Sequence, residues 1–347
     1  MNNQEEENII GFDPLYVSMC KCRKNVIWKD SVAHYVLNGI EETLKLEDQL
    51  KNGSYKAREP VSFRITSPKP RDIISISFRD RVYQRSLNDN EIYPDMTRHF
   101  IYDNGACQKN KGTDFSRNRL TCFLQKFYRK NGLDGYVLQC DIHGYYPNMS
   151  HDLAKGVFKK YLKPNVYERA CRVLDEQYSG DIGFNAGSQM IQIAGISVLN
   201  ELDHYIKERL KIKYYIRYMD DFILIHEDRE YLKYCETEIR KKLSEYGFTF
   251  NEKKTRIYPL TDGILFLGFT FKISKTGKIY KQINPRNVKM ERKKLVRMVH
   301  KEKRGELTRE KVDECYQSWR NHASKGNSFR LLERMDKFYS NLWRCDK

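Results

Sequence analysis

The sequence predicts an α+β fold, and three observations support it. Short apolar runs of strand length stand beside longer stretches with helical periodicity. Two pairs of such runs, VSFRI with IISIS and YYIRY with FILI, are joined by short polar turns, the pattern of antiparallel hairpins. Hydrophobic residues make up 40% of the 347, with only 9 Pro and 19 Gly, so the chain can bury a sizeable core and is neither globally disordered nor collagen-like.

Taken in order, a polar N-terminus precedes a helix from Asp30, read as its cap, to about Lys51, where Gly53 ends it. Strands at 61–65 and 73–77 flank the turn Ser67-Pro68-Lys69-Pro70. A helix at about 79–89, an irregular segment and an amphipathic helix at about 115–130 lead to a buried strand at 136–141 that ends on an acid. Helices follow at 151–162, 165–178 and 188–210, then the hairpin 214–218/222–225 and a helix at about 229–246. Short strands near 248–250, 256–259 and 264–271 precede a mostly helical, basic remainder. No internal repeat or Pro/Gly/Ser-rich linker divides the chain.

Lys plus Arg is 63 and Asp plus Glu is 46, a formal net charge of +17, which makes a polyanion the first partner to consider. The excess is lopsided: Lys272 to Lys347 holds 22 basic and 9 acidic residues, a net of +13, leaving +4 for the rest. No run of eighteen apolar residues occurs, and the start MNNQEEENII is acidic, so neither a membrane span nor a secretory signal is expected. The nine Cys lack paired CxxC spacing and read as reduced thiols of a cytoplasmic protein.

The chemistry-bearing feature is a set of acids. Tyr218-Met219-Asp220-Asp221 sits at the tip of a hairpin with apolar flanks, and adjacent carboxylates there repel unless a cation lies between them. Asp141 ends the buried strand YVLQCD; if the two strands are neighbours in one sheet, Asp141 and Asp220 converge. Hard carboxylate ligands suit Mg²⁺, and two such ions about 3.5–4 Å apart drive in-line phosphoryl transfer. The plainer reading of each site alone is a solvated turn and a helix cap.

Asp141-Ile142-His143-Gly144-Tyr145-Tyr146 followed by Tyr218-Met219-Asp220-Asp221 resembles motifs A and C of reverse transcriptases. The resemblance runs from about residue 30 to the C-terminus. Lys69-Pro70-Arg71 with Phe78-Arg79-Asp80-Arg81-Val82-Tyr83-Gln84 is similar to the first fingers motif, and Ala106–Thr113 to the second. Gly187-Ser188-Gln189 resembles motif B, Asn251–Thr255 motif D, and Phe266-Leu267-Gly268-Phe269 the primer grip, motif E. The resemblance implies a right-hand polymerase: an N-terminal extension at 1–30, fingers at 31–135, a palm at 136–271 with 155–186 returning to the fingers, and a basic helical thumb at 272–347.

It also implies roles. Asp141, Asp220 and Asp221 would bind two Mg²⁺ ions, replaceable by Mn²⁺, with the Ile142 carbonyl as a further contact. Tyr146 would act as a steric gate against a ribose 2′-hydroxyl, with core packing as the alternative. Lys69 and Arg71 would clamp triphosphate oxygens, or be ordinary loop cations. Ser188 and Gln189 would lie near the templating pair, or simply open a helix. Lys254 would face the nucleotide, or merely be exposed. Phe266, Leu267, Gly268 and the ridge Arg292-Lys293-Lys294 would hold the template–primer, with a solvated helix face as the alternative for the ridge.

The implied activity is RNA-directed DNA polymerisation from dNTPs on an RNA template with a DNA or RNA primer. Compactness, Ser188-Gln189 and the tail Ser318-Trp319-Arg320-Asn321-His322-Ala323 are similar to bacterial enzymes of diversity-generating retroelements and to defence-associated, abortive-infection-type relatives. A noncoding RNA or small accessory protein would be a further partner, and an oligomer is compatible with the sequence. Two departures stand out: Phe184 where the family usually has Gly, and Gln108 where it usually has Arg. They leave open a polymerase that works without copying a template or is primed by a protein. A non-catalytic RNA-binding scaffold is the remaining alternative, against which the three retained acids argue.

Overall fold

The computed structural model describes residues 3–66, 70–184 and 187–344. Its elements run α1 (Asn3–Ile10), α2 (Phe12–Cys22), α3 (Asp30–Leu37), α4 (Gly39–Lys51), β1 (Val61–Ile65), β2 (Arg71–Ser75), α5 (Phe78–Leu87), α6 (Tyr93–Thr97), α7 (Thr113–Asn131), β3 (Tyr136–Asp141), α8 (His151–Tyr161), α9 (Pro164–Gln177). They continue with α10 (Gln189–Val198), α11 (Asn200–His204), β4 (Tyr214–Tyr218), β5 (Asp221–His226), α12 (Arg229–Glu245), β6 (Arg256–Pro259), β7 (Ile264–Phe266), β8 (Phe269–Ile273), β9 (Ile279–Ile283), α13 (Pro285–Lys303), α14 (Arg309–Ser324) and α15 (Phe329–Leu342). One π-helical turn, Asn88–Ile92, separates α5 from α6, and another, Tyr205–Arg209, follows α11.

Three sheets result: the hairpin β1-β2, a four-stranded sheet in the order β4-β5-β3-β6, and the three-stranded sheet β7-β8-β9. The chain divides into two compact units. The first comprises Met1–Gly112, Gln139–Ile223 and Lys233–Arg256; the second comprises Thr113–Leu138, Leu224–Leu232 and Ile257–Lys347.

In the first unit the segment before residue 30, expected to be merely polar, is helical and part of the core. Ile9, Ile10, Leu15 and Met19 are buried, and the Ser86 hydroxyl donates to the Ile9 carbonyl at 2.6 Å. Leu15 and Met19, four residues apart, put the buried side of α2 on one face. The helix expected from Asp30 is broken at Asn38, and Asp30 lies in the first turn of α3 rather than capping it. The single helix expected over 188–210 is also broken, because Leu199 leaves the α region at φ −90°, ψ 6°. α10 is buried almost all round, as a helix without a polar face must be. Ser150 caps α8 by accepting from the Leu153 N–H, while Pro164 starts α9, where its missing N–H costs nothing.

The strand expected near 248–250 is only an isolated bridge, Phe250 with Ile142, joined by the His143 N–H donating to the Thr249 carbonyl. The strand expected at 73–77 falls at 71–75 instead, pairing Val61 with Ser75 and Ile65 with Arg71.

In the second unit, β7 and β8 form an antiparallel hairpin extended by β9, a strand the basic sequence KIYKQI did not disclose. Leu295, Val299, Val312, Tyr316 and Met335 form the core of α13–α15, with Trp319, Phe338, Tyr339 and Trp343 packed against it. Among the described residues no helix is long and apolar enough to cross a membrane.

Candidate active site

The expectation that the acid-bearing strands are neighbours holds: β5 lies between β4 and β3, so Asp221 at the start of β5 and Asp141 at the end of β3 occupy adjacent strands. Asp220 sits in the two-residue turn between β4 and β5. Its neighbour Met219 has φ +59°, a left-handed conformation that costs a non-glycine residue about 1–2 kcal/mol.

Arg217, which sequence reasoning left unremarked inside YYIRY, holds that turn. Its side chain is fully buried, and Nη1 donates to the Met219 carbonyl at 3.0 Å. Nε and Nη2 reach Asp203, itself fully buried, at 2.7 and 2.5 Å, and Nη2 also donates to the Ile196 carbonyl of α10. The Tyr215 hydroxyl donates to the same Asp203 carboxylate at 2.6 Å. The Arg217 backbone extends the link, its N–H donating to Asp103 and its carbonyl accepting from Gly105. A charged residue in an otherwise apolar strand was the one available signal.

The three acids feel one another. Burial raises the Asp220 carboxyl above its ordinary value, and the Asp141 charge raises it further. Asp221 is pushed up to about 7, first by burial and then by the charges of Asp141 and Asp220. Asp141 is buried and is bound by Lys254, whose Nζ lies 2.7 Å from Oδ1. That hydrogen bond is the main reason the Lys254 ammonium is held above its ordinary range. Lys254 is exposed, as one of its two sequence readings had it, and is also paired with Asp141. The Asn251 N–H donates to the Asp141 carbonyl at 2.8 Å, which fixes the 251–255 segment beside the acid.

Among the described residues no three acidic, histidine or cysteine side chains already stand close enough to hold a metal ion. The donor set fits one nonetheless: three hard carboxylates are brought together, two of them with raised affinity for protons, and a lysine ammonium is paired with the third. A divalent cation relieves the repulsion that protonation relieves in its absence.

Tyr146 lies beside this cluster. Its hydroxyl is buried without a hydrogen-bond partner among the described residues, and a Cβ built on Gly195 of α10 would sit 2.8 Å from it. Gly195 therefore makes room for this ring. The Tyr145 hydroxyl donates to the Gly195 carbonyl. Phe184, the first departure, is buried and stacks on His151 at 4.5 Å, while its N–H donates to the Tyr146 carbonyl. The larger side chain is absorbed as packing beneath the Tyr146 segment.

Ser188 is buried and does not cap α10; its hydroxyl donates to Gln84 Oε1 at 2.9 Å, tying α10 to α5. Gln189 is exposed and lines a cleft of about 270 Å³ with Arg85, Gln108, Lys109 and Gln192. Gln108, the second departure, uses its amide to donate to the Asn104 carbonyl at 2.8 Å. Within the first fingers motif Asp80 is fully buried and accepts from Tyr55, Ser77 and the Arg58 N–H. Lys69 lies outside the described residues, and Arg71 is placed only by its backbone in β2.

In the second unit, Phe266 is buried as hairpin core, while Leu267 and Gly268 form the tip at φ +45° and +87°. The Leu267 carbonyl accepts from Arg117 Nε and Nη2 at 3.1 and 2.8 Å. The Gly268 position is closed over by His322, 3.2 Å from where a Cβ would stand. Lys293 and Lys294 are exposed on α13, whereas Arg292 is turned onto the Phe338 ring.

The family model described as reverse transcriptase (RNA-dependent DNA polymerase) matches residues 66–271. The chain belongs to the reverse transcriptase family. Its mixture of helices and antiparallel sheets is that of the right-hand polymerase fold. No curated protein matches this reverse transcriptase in sequence. Similar solved structures include an apo telomerase from Candida tropicalis truncated from the C-terminal domain, at 14% identity and a TM-score of 0.49, covering 70% of this chain and 60% of that one. Another is a telomerase from Candida albicans in complex with a TWJ fragment of telomeric RNA, at 12% identity and a TM-score of 0.49, covering 75% and 55%. The chain thus spans little more than half the length of these structures.

Two predictions follow from the cluster. Arg217→Met leaves Asp203 buried and unpaired, and should lower stability by roughly 3–5 kcal/mol in urea denaturation. Adding Asp203→Leu should recover most of that loss. Asp221 holds its proton more tightly in the folded state, so its protonation stabilises the fold at low pH. That contribution is lost as pH rises from the ordinary 3.8 through about 7. Without divalent ions the melting temperature should therefore fall more between pH 5 and pH 8 for wild type than for Asp221→Asn; equal falls would contradict the assignment.

Proposed function

We propose that this reverse transcriptase is an RNA-directed DNA polymerase that copies an RNA template into cDNA from dNTPs, using Mg²⁺ held by Asp141, Asp220 and Asp221. The observation that carries the proposal is the electrostatic coupling of these three acids on adjacent strands beside the paired Lys254. Bound Mg²⁺ would supply Lewis-acid activation of a primer 3′-hydroxyl and charge neutralisation of the triphosphate, with Mn²⁺ able to replace it.

The chain's own residues do the rest. Arg217 fixes the turn that carries Asp220 and Asp221. Lys254 keeps a positive charge at Asp141. Tyr146, backed by Gly195, presents a ring that would crowd a ribose 2′-hydroxyl and favour deoxynucleotides. Lys69 and Arg71 are assigned to triphosphate oxygens, Ser188 and Gln189 to the neighbourhood of the templating pair, and the Ile142 carbonyl to a further metal contact. Leu267 and Gly268 at the hairpin tip, supported by Phe266, and the ridge Arg292-Lys293-Lys294 are assigned to the template–primer. In this reading residues 31–135 are fingers, 136–271 palm with 155–186 returning to the fingers, and 272–347 thumb, after an extension at 1–30. A bacterial or phage retroelement, or an anti-phage defence system, is the proposed setting.

Purified protein with Mg²⁺, dNTPs and a primed RNA tests the proposal. Asp220→Asn should abolish incorporation while RNA binding survives; a wild type that incorporates nothing would leave only a binding scaffold. Tyr146→Ala should raise the use of ribonucleotides relative to deoxynucleotides, and an unchanged ratio removes the gate assignment.

A further inference from the structure

A groove of about 1160 Å³ opens in the second unit between β9, the start of α13 and the start of α15. Five cations line it, Lys278, Lys289, Arg292, Arg330 and Arg334, and no carboxylate does. A wall of one sign concentrates counter-charge within it.

The start of α15 breaks three local rules at this place. Ser328 occupies the N-cap position, yet its side chain makes no cap bond, with φ −116° and ψ 12°. Its hydroxyl is buried, Ser328 being 4% exposed, and has no hydrogen-bond partner among the described residues. The first turn contains no acid but does contain Arg330, a cation at the helix end where the backbone dipole disfavours one. An anion at this end would relieve all three at once, accepting from the Ser328 hydroxyl and pairing with Arg330. Phe329, the next residue, is 75% exposed at the groove edge, with Tyr280 also in the lining.

We propose that this groove binds an unpaired polynucleotide strand, with a phosphate at the start of α15 and a base stacked on Phe329. A phosphate alone explains the hydroxyl and the cations but leaves the exposed ring without a function. A duplex keeps its base faces stacked on one another, so only an unpaired base has a face to offer Phe329. Lys293 and Lys294 are not in its lining, and Arg292, which the groove shares with the template–primer assignments, also contacts Met335 and Phe338.

The test is fluorescence anisotropy of the full chain with 5′-labelled U12 RNA, dT12 DNA and a twelve-base-pair hairpin, without nucleotides or divalent ions. Phe329→Ala should weaken U12 and dT12 roughly ten-fold, the size expected for one lost base–aromatic stack. Ser328→Ala should weaken both several-fold without lowering the melting temperature, which a purely structural hydroxyl with no partner would not do. The Arg330→Ala/Arg334→Ala double variant should lower the slope of log affinity against log salt by about 1.4. Hairpin binding should be unchanged in the first two variants. Wild-type affinity for both single strands in Phe329→Ala and Ser328→Ala, or an equal loss on the hairpin, overturns the proposal. Primer extension measured separately judges the polymerase reading alone.

Discussion

The buried pair of Arg217 and Asp203 is the constraint on which the acid cluster rests. Taking a guanidinium and a carboxylate out of water is costly, and the cost is offset only where every donor finds an acceptor. Here Asp203 takes two of the Arg217 contacts, the Ile196 and Met219 carbonyls take others, and Tyr215 completes the carboxylate. Shifting β4 by one residue would turn the guanidinium to the opposite face and leave Asp203 unpaired. The pair thereby fixes the register of β4, and with it the left-handed turn at Met219 and the placement of both acids of the hairpin.

Holding three carboxylates near one another works against stability unless something positive stands among them. Lys254 meets part of that requirement at Asp141, and raised proton affinity at Asp220 and Asp221 meets another part. Both responses are those of a site shaped for a cation stronger than a lysine ammonium. The Tyr146 hydroxyl, buried against Gly195 without a partner among the described residues, is a second local cost at the same site. Local costs gathered at one place are characteristic of function rather than of folding.

Much of this was legible in the sequence because it is local. The strand ending on Asp141 has the predicted limits, and the hairpin around Met219-Asp220 stands where alternating apolar flanks placed it. What was not legible is mostly non-local. Arg217 and Asp203 are fourteen residues apart and paired across elements, and Lys254 reaches Asp141 over 113 positions. Ser188 stands at the opening of α10, as local sequence allows, but its hydroxyl goes to Gln84 on another helix, a contact no local pattern shows. α1 and α2 were missed since a charged start, QEEE, masks the apolar spacing that follows it. β9 was missed for a similar reason: Lys281 and Gln282 interrupt its apolar pattern, and the strand exists because β8 is there to pair with it.

The site's geometry and family membership together make template copying the central claim. It is tested most directly by single-nucleotide addition on four primed RNAs that differ only in the first unpaired template base. Each dNTP is offered separately with Mg²⁺. The account predicts extension only by the complementary deoxynucleotide on each template. Addition that ignores the template base, or no addition on any of the four, would contradict it.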